Sequence, residues 1–337
     1  MRALRLGTRR STLARTQSEQ VAAALRAATG RDVELVEIET TGDTSGASLS
    51  RIGGTGVFVS ALRDALLAGR VDLAVHSLKD LPTPPFDGLV VAATPPREDP
   101  RDVLVARDGL TLGELGEGAT VGTGSPRRAA QLRALGLGLD VVDVRGNVDT
   151  RLRFVADGAL DAVVLARAGL LRVGRADEAT EVLDPLQMLP APGQGALAVE
   201  CRADDEPTLA ACRGLDDAAT RAAVTAERAL LAELEAGCTA PVGALADLAL
   251  GEQEEELFLR AVVAAPDGSA MLRRSATGRP GGAADLGRAL ARELLDDGAA
   301  DLVAVPPASA GTPVREEPLR LTTHHDTAAT AAWRTET

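Results

Sequence analysis

The sequence predicts an α/β protein of more than one domain, and three observations carry that prediction. Its 337 residues exceed what one domain of roughly 100–200 residues uses. Buried strands give way through short polar loops to amphipathic helices, the unit from which mostly parallel sheets are built. A short pattern also recurs after helix-like runs: Gly69-x-x-Asp72 before LAV, Gly158-x-x-Asp161 before AVVLA and Gly298-x-x-Asp301 before LVAV. Three copies suggest three α/β units, although a glycine that closes a helix ahead of a buried strand is common and leaves true repetition open.

In chain order, Ala3 to Leu6 reads as a strand, GTRRS as a polar turn, and Leu13 to Ala28 as a helix stopped by Gly30. VELVEIE is a second strand. Thr40 to Gly56 is rich in Gly, Ser and Thr without hydrophobic period and predicts a functional loop. Phe58, Leu62 and Leu66 share one face of a helix ending at Gly69, and VDLAVH follows as a buried strand leading into Ser77-Leu78-Lys79-Asp80. Boundaries fall at TPPREDP (94–100), at LPAPGQG (189–195) and near Gly214 to Asp217, before a helix from about Thr220 to Glu235. The segment from residue 306 carries Pro, Ser, Thr and charge without periodicity and predicts a disordered tail.

Composition excludes several classes. Hydrophobic residues at 45% and charged residues at 25% describe a folded chain, not a disordered one. No apolar run reaches the roughly 18–20 residues of a membrane helix, and MRALRLGTRRS has no apolar signal stretch, so a cytosolic protein without membrane partners is expected. A net charge of -13 with one Trp and no Tyr argues against nucleic acid, which needs cationic surface and stacking platforms. Cys201, Cys212 and Cys238 lack CxxC spacing, so no metal ribbon or disulfide framework is expected. His76 stands in an apolar strand and His324 and His325 in the tail, so no histidine triad or metal cluster assembles.

The charge census holds a sharper fact. Of 36 basic residues only Lys79 is lysine; either it is a chance survivor of compositional bias or an amine is needed there, since an ammonium has a tunable pKa and a guanidinium does not. Leu78 before it rules out a Walker loop. Four strand-end loops carry the candidate chemistry: GTRRS with Arg9 and Ser11, HSLKD with Ser77, Lys79 and Asp80, VGTGSPRR with Thr123, Ser125, Arg127 and Arg128, and VRGNVDTR with Arg145 and Arg151. Loops at the carboxyl ends of strands in open α/β sheets face one crevice, so these groups can converge. Ser125 suits an N-cap and Pro126 the first helical position, which leaves amide hydrogens aimed at an anion. Arg172 adds another fork, and several cations in one cleft call for a polyanionic ligand. Asp80 is the obvious acid/base candidate. A non-catalytic anion-binding module stays open at this point, and an effector domain of a transcription factor is disfavoured for want of a helix-turn-helix segment.

TRRSTLA (8–14), HSLKDLPT (76–83), GTGSPRR (122–128), RGNVDTRL (145–152), LPAPGQGAL (189–197) and AGCTAPVGA (236–244) together resemble, in order and spacing, the hydroxymethylbilane synthase family, also called porphobilinogen deaminase. The resemblance implies three domains: two periplasmic-binding-protein-like lobes, 1–95 with 196–214 and 100–190, and a smaller α+β domain, 217–305. It implies a transferase of tetrapyrrole (porphyrin, haem) biosynthesis that condenses four porphobilinogen molecules head to tail with loss of ammonia, through an electrophilic azafulvene, and releases hydroxymethylbilane. Growth would occur on a dipyrromethane cofactor held by a thioether to Cys238, in a monomer. Asp80 would be catalytic. Ser77, Lys79, Thr123, Ser125, Arg127, Arg128 and Arg145 would bind the cofactor, and Arg9, Ser11, Arg145, Arg151, Arg172 and Gln194 the substrate carboxylates. Thr55 stands where the family often has lysine, which puts one loop contact in doubt and makes Arg51 its candidate replacement.

Overall fold

The computed structural model describes residues 2–39, 57–235, 240–251 and 254–304, with the side chains of 57, 58 and 304 outside that description. The expectations for the stretch 40–56 with Arg51 and Thr55, for Phe58, for Cys238, and for the tail with His324 and His325 lie outside the described residues.

Two five-stranded sheets repeat one topology. In lobe 1, β1 (Leu4–Thr8), β2 (Val33–Glu37), β3 (Leu73–Ser77), β4 (Leu89–Ala93) and β10 (Leu197–Arg202) lie in the order β2-β1-β3-β10-β4. In lobe 2, β5 (Asp102–Ala106), β6 (Thr120–Gly122), β7 (Asp140–Val142), β8 (Ala162–Ala166) and β9 (Glu181–Val182) lie in the order β7-β6-β8-β5-β9. Three neighbouring strands are parallel in each sheet, and the fourth in the order, β10 or β5, runs antiparallel to both its neighbours. Each of those two strands directly follows a chain segment that has crossed from the other lobe, 94–101 or 183–196.

Period-two alternation places the sheet residues. In β5, Leu104 and Ala106 face one core while Val103 and Val105 face the other. In lobe 1, α1 (Thr12–Thr29) packs Val21 and Leu25 against Leu73 and Val75, with Ala211 and Cys212 of α6 (Glu206–Cys212) in the same core, and α2 (Val57–Leu67) packs Leu62 and Leu66 against Ala74 on the opposite face. Helix α1 is stopped by Gly30 in the left-handed conformation, as its sequence predicts, and is capped by Ser11.

The Gly-x-x-Asp pattern has a structural basis in two of its three copies. Asp72 accepts the backbone N–H of Arg5 on β1 at 2.8 Å, and Asp161 accepts that of Thr120 on β6 at 2.8 Å. β1 and β6 hold the same place in their sheets, so each aspartate pins the start of the equivalent strand. The third copy departs from expectation: after Gly298 the chain forms a short helix, Ala299–Ala304, not a strand. An apolar run this short fits either element, and its Ala-Ala start favours helix. The C-terminal unit is therefore α+β. Its antiparallel sheet, β11 (Val242–Leu250), β12 (Glu255–Ala264) and β13 (Met271–Gly278), is covered by α7 (Ala218–Glu233) and α8 (Ala283–Asp296), with Ala226, Leu230, Leu259, Leu290 and Leu294 in its core.

The crossing segments lie side by side, with the Glu98 N–H donating to Gly195 O at 3.2 Å and Arg97 Nε to Gln194 O at 2.8 Å. Gly195 has φ +87° and stands so close to the other segment that a Cβ there would sit 2.3 Å from Glu98 O. Only glycine meets both conditions. From the third unit, Glu227, fully buried on α7, joins both segments: it pairs with Arg97 at 2.6 Å and accepts the Gly193 N–H at 2.6 Å, while also accepting the Ala246 N–H of β11 at 2.8 Å.

Candidate active site

A cleft between the lobes is lined by Leu13, Gln17, Ser77 and Lys79 from lobe 1, by Arg128, Val148, Arg151 and Arg172 among others from lobe 2, and by Gly195 and Ala196 between them. Strand β3 delivers Ser77, and the single helical turn after it, Leu78–Asp80, turns Lys79 toward the cleft while Leu78 is buried. Ser77 Oγ accepts from Gln17 Nε2 at 3.0 Å. Facing them, α3 (Pro126–Ala134) starts with Ser125 as N-cap, its Oγ toward the Arg128 N–H, and Pro126 in the first turn; Thr123 Oγ1 accepts the Ser125 N–H at 3.2 Å. Helix α4 (Val148–Ala156) carries Arg151, and α5 (Arg167–Arg172) ends in Arg172.

Two cations of this cleft wall are held by backbone carbonyls. Arg151 donates to Gly146 O at 3.0 Å and Arg172 to Gly195 O at 2.6 Å, and neither forms an ion pair among the described residues. Burial lowers the pKa of both, and for Arg151 the neighbouring charges of Arg128 and Arg145 lower it further. Burial, with Arg128 and Arg127 nearby, pushes Lys79 down to about 8 against the opposing pull of Asp80 and Asp102. Mutual repulsion in a desolvated cleft is relieved by an anionic ligand.

Beneath the cations lies Asp102, fully buried at the start of β5. Arg128 Nη2 donates to its Oδ1 at 2.8 Å, and Arg127 Nη2 stands 2.8 Å from its Oδ2 but off the hydrogen-bonding line. Burial alone would raise this carboxyl, yet Arg127 and Arg128 outweigh it and hold it at about 2. Gln194, also fully buried, donates to Asp102 Oδ1 at 2.8 Å and to Pro100 O at 2.7 Å and accepts from Lys79 Nζ at 3.3 Å.

Family comparison settles the lineage. A family model described as porphobilinogen deaminase, dipyromethane cofactor binding domain, matches residues 4–210, and one described as porphobilinogen deaminase, C-terminal domain, matches 221–296. The chain belongs to the porphobilinogen deaminase family. It is 64% identical over 305 residues to the porphobilinogen deaminase of Nocardia farcinica, covering 89% of this chain and 88% of that one. To porphobilinogen deaminase 1 of Streptomyces coelicolor it is 62% identical over 311 residues, covering 90% and 98%. The enzyme of Mycobacterium tuberculosis is 59% identical over 305 residues, covering 89% and 98%. Among solved structures, the methionine-binding protein MetQ shares 15% identity at a TM-score of 0.42 over 62% of this chain and 87% of its own; the strand order of the two lobes, not that overlap, defines the fold.

Of the residues singled out by the porphobilinogen deaminase motifs, the cleft wall brings together Ser77, Lys79, Arg128, Arg151 and Arg172. Asp80 is exposed, one residue beyond Lys79, and outside the wall. Arg145 is exposed and pairs with Asp143 at 3.1 Å. Arg9 is half-buried after β1, and Ser11 caps α1, accepting the Ala14 N–H. Arg127 is buried, donating to Leu189 O at 2.6 Å, and Gln194 is enclosed between the crossing segments. His76 is a core residue on the far face of β3, 3.2 Å from Glu200, which Arg63 also pairs. Burial pushes Cys201 to about 11 and Cys212 to about 12, so neither is a nucleophile at neutral pH.

Sequence reading missed Gln17 and Asp102. Gln17 follows Leu13 by four on the same face of α1, a polar residue in an apolar stripe. Asp102 opens a run of buried strand, where a carboxylate is costly unless paired. Both signals are present in the sequence.

Proposed function

We propose that the cleft between the lobes is where this chain condenses four porphobilinogen molecules head to tail into hydroxymethylbilane, releasing one ammonia at each condensation, in tetrapyrrole synthesis. The observation that carries this reading is a desolvated wall of cations from both lobes, Lys79, Arg128, Arg151 and Arg172, in a chain of this family. Each porphobilinogen brings two carboxylates, so the ligand that the wall calls for is the one the reaction accumulates. The reading divides the chain as 1–95 with 196–214, 100–190 and 217–305, and places a monomer in the cytoplasm.

The same wall fits a dipyrromethane, whose four carboxylates would be held by Lys79, Arg128 and Ser77, with Thr123, Ser125, Arg127 and Arg145 completing or supporting the pocket and Cys238 forming the thioether. When bound, that group supplies the free pyrrole α-carbon on which the chain grows. Arg9, Ser11, Arg151 and Arg172 would orient the incoming substrate, with Gln194, enclosed behind the cleft wall, acting through Lys79. Asp80, beside Lys79, would set a fixed negative charge against the pyrrole nitrogens as the C–N bond of the aminomethyl group breaks and nitrogen leaves as ammonia.

The deciding experiment is the intact mass of the purified protein with peptide mapping at Cys238, followed by a porphobilinogen consumption assay. A mass excess of two porphobilinogen units less two ammonia at Cys238, with turnover, is the expected outcome. An unmodified mass that stays unchanged after incubation with porphobilinogen would replace the synthase with an anion-binding module of the same architecture.

A further inference from the structure

Asp102 is a carboxylate in a strand whose five residues are all buried, and it does not line the cleft. It is nevertheless linked to two cations that do. Arg128 reaches it directly, with its other donor on Val164 O at 2.9 Å. Lys79 reaches it through Gln194, whose amide has one accepting oxygen and two donating hydrogens. Both acceptors on the nitrogen side, Asp102 Oδ1 and Pro100 O, can only accept. The amide therefore has one allowed orientation, which turns Oε1 toward the Lys79 ammonium. A flipped amide would set its oxygen against a carboxylate and a carbonyl and its NH2 against an ammonium.

We propose that Asp102 is a positioning residue for the condensation: anchored by Arg127 and Arg128 of lobe 2, it fixes through Gln194 where the Lys79 amine of lobe 1 stands, so that Lys79 and Arg128 present one anion site across the cleft. The inference rests on the cleft being the site of the reaction proposed above. It assigns Gln194 to the support of Lys79, and it explains why a buried carboxylate stands where the two lobes and both crossing segments meet.

Lys79 is the only lysine in the chain, so holoprotein grown with lysine labelled by carbon-13 at Cε gives a single lysine side-chain resonance, and its pH titration reads this amine alone. Two variants are compared with the parent. Gln194→Met keeps the side-chain volume and leaves Asp102 between its arginines but breaks the link. Asp102→Asn removes the charge. Gln194→Met is expected to lower the titration midpoint, because the ammonium loses an acceptor, to lower kcat/KM for porphobilinogen about tenfold, and to move the alkaline limb of kcat/KM down with the midpoint. Asp102→Asn is expected to lower the midpoint further. Should it fail to fold, with two arginines left buried beside a neutral amide, Gln194→Met alone decides. An unchanged midpoint in folded Gln194→Met overturns the proposal whatever the activity does, because a purely structural Asp102 would leave the amine untouched. A parent protein that carries no cofactor and consumes no porphobilinogen overturns instead the reading of the site, and does so before any variant is compared.

Discussion

Among the described residues of the cleft wall, Lys79 is the one basic side chain whose charge changes near neutral pH, since burial and neighbouring guanidinium groups hold it at about 8. In the reading proposed above, its ammonium would hold a carboxylate of the dipyrromethane below that value and lose it as pH rises through it, while the bound carboxylate shifts the transition upward. The kcat/KM for porphobilinogen is therefore expected to fall above about pH 8, and Lys79→Arg, permanently charged, is expected to flatten that fall in a pH series of initial rates. Asp80→Asn should lower kcat by roughly two to three orders of magnitude with an unchanged circular dichroism spectrum and cofactor content, whereas Asp80→Glu should keep measurable turnover; wild-type rates from Asp80→Asn would remove it from the mechanism. That Lys79 and Asp80 follow directly on a strand end was legible in the sequence, and where their side chains point was not. Arg127 and Arg128 are adjacent in one helical turn, and nothing local decides that both engage a buried aspartate while only Arg128 also reaches the cleft wall; that depends on Asp102, a residue 25 positions upstream of Arg127.

At the scale of elements, local signals that a few neighbouring residues decide were readable and those decided by tertiary packing were not. Ser125 with Pro126 opens α3 and Gly30 closes α1 because caps are local chemistry. The helix after Gly298 was misread as a strand because its short apolar run carries no period of its own, and the core it joins, through Ala299 and Leu302, belongs to α8 and β12. The α7–α8 contact gives a prediction of the same kind. Gly287 lies where a Cβ would come within 2.2 Å of Ala226 O, so Gly287→Ala forces the helices apart and should destabilise the C-terminal unit by about 1–3 kcal/mol, measured as a lowered urea midpoint. No change in midpoint would mean the two helices are not held at this distance.

At the scale of the molecule, the buried Arg97–Glu227 pair ties the third unit to both crossing segments. Removing one partner leaves the other buried and unpaired, so Glu227→Gln should cost about 3 kcal/mol or more and, in calorimetry, split one unfolding transition into two as the third unit uncouples. A single transition shifted only slightly would show that the units cooperate through other contacts. The shared strand order of the lobes has a consequence for how the molecule is made. Lobe 2 completes its sheet within the contiguous stretch from β5 at Asp102 to β9 at Val182, whereas lobe 1 lacks a middle strand until β10 at Leu197–Arg202 has been synthesised. On the ribosome the lobe that begins first is thus the one that closes second, and until then β3 and β4 hold open a slot between two strands that do not pair with each other. The nascent chain carries an unfinished N-terminal sheet past a finished one, and it is in that interval that a chaperone has most to protect.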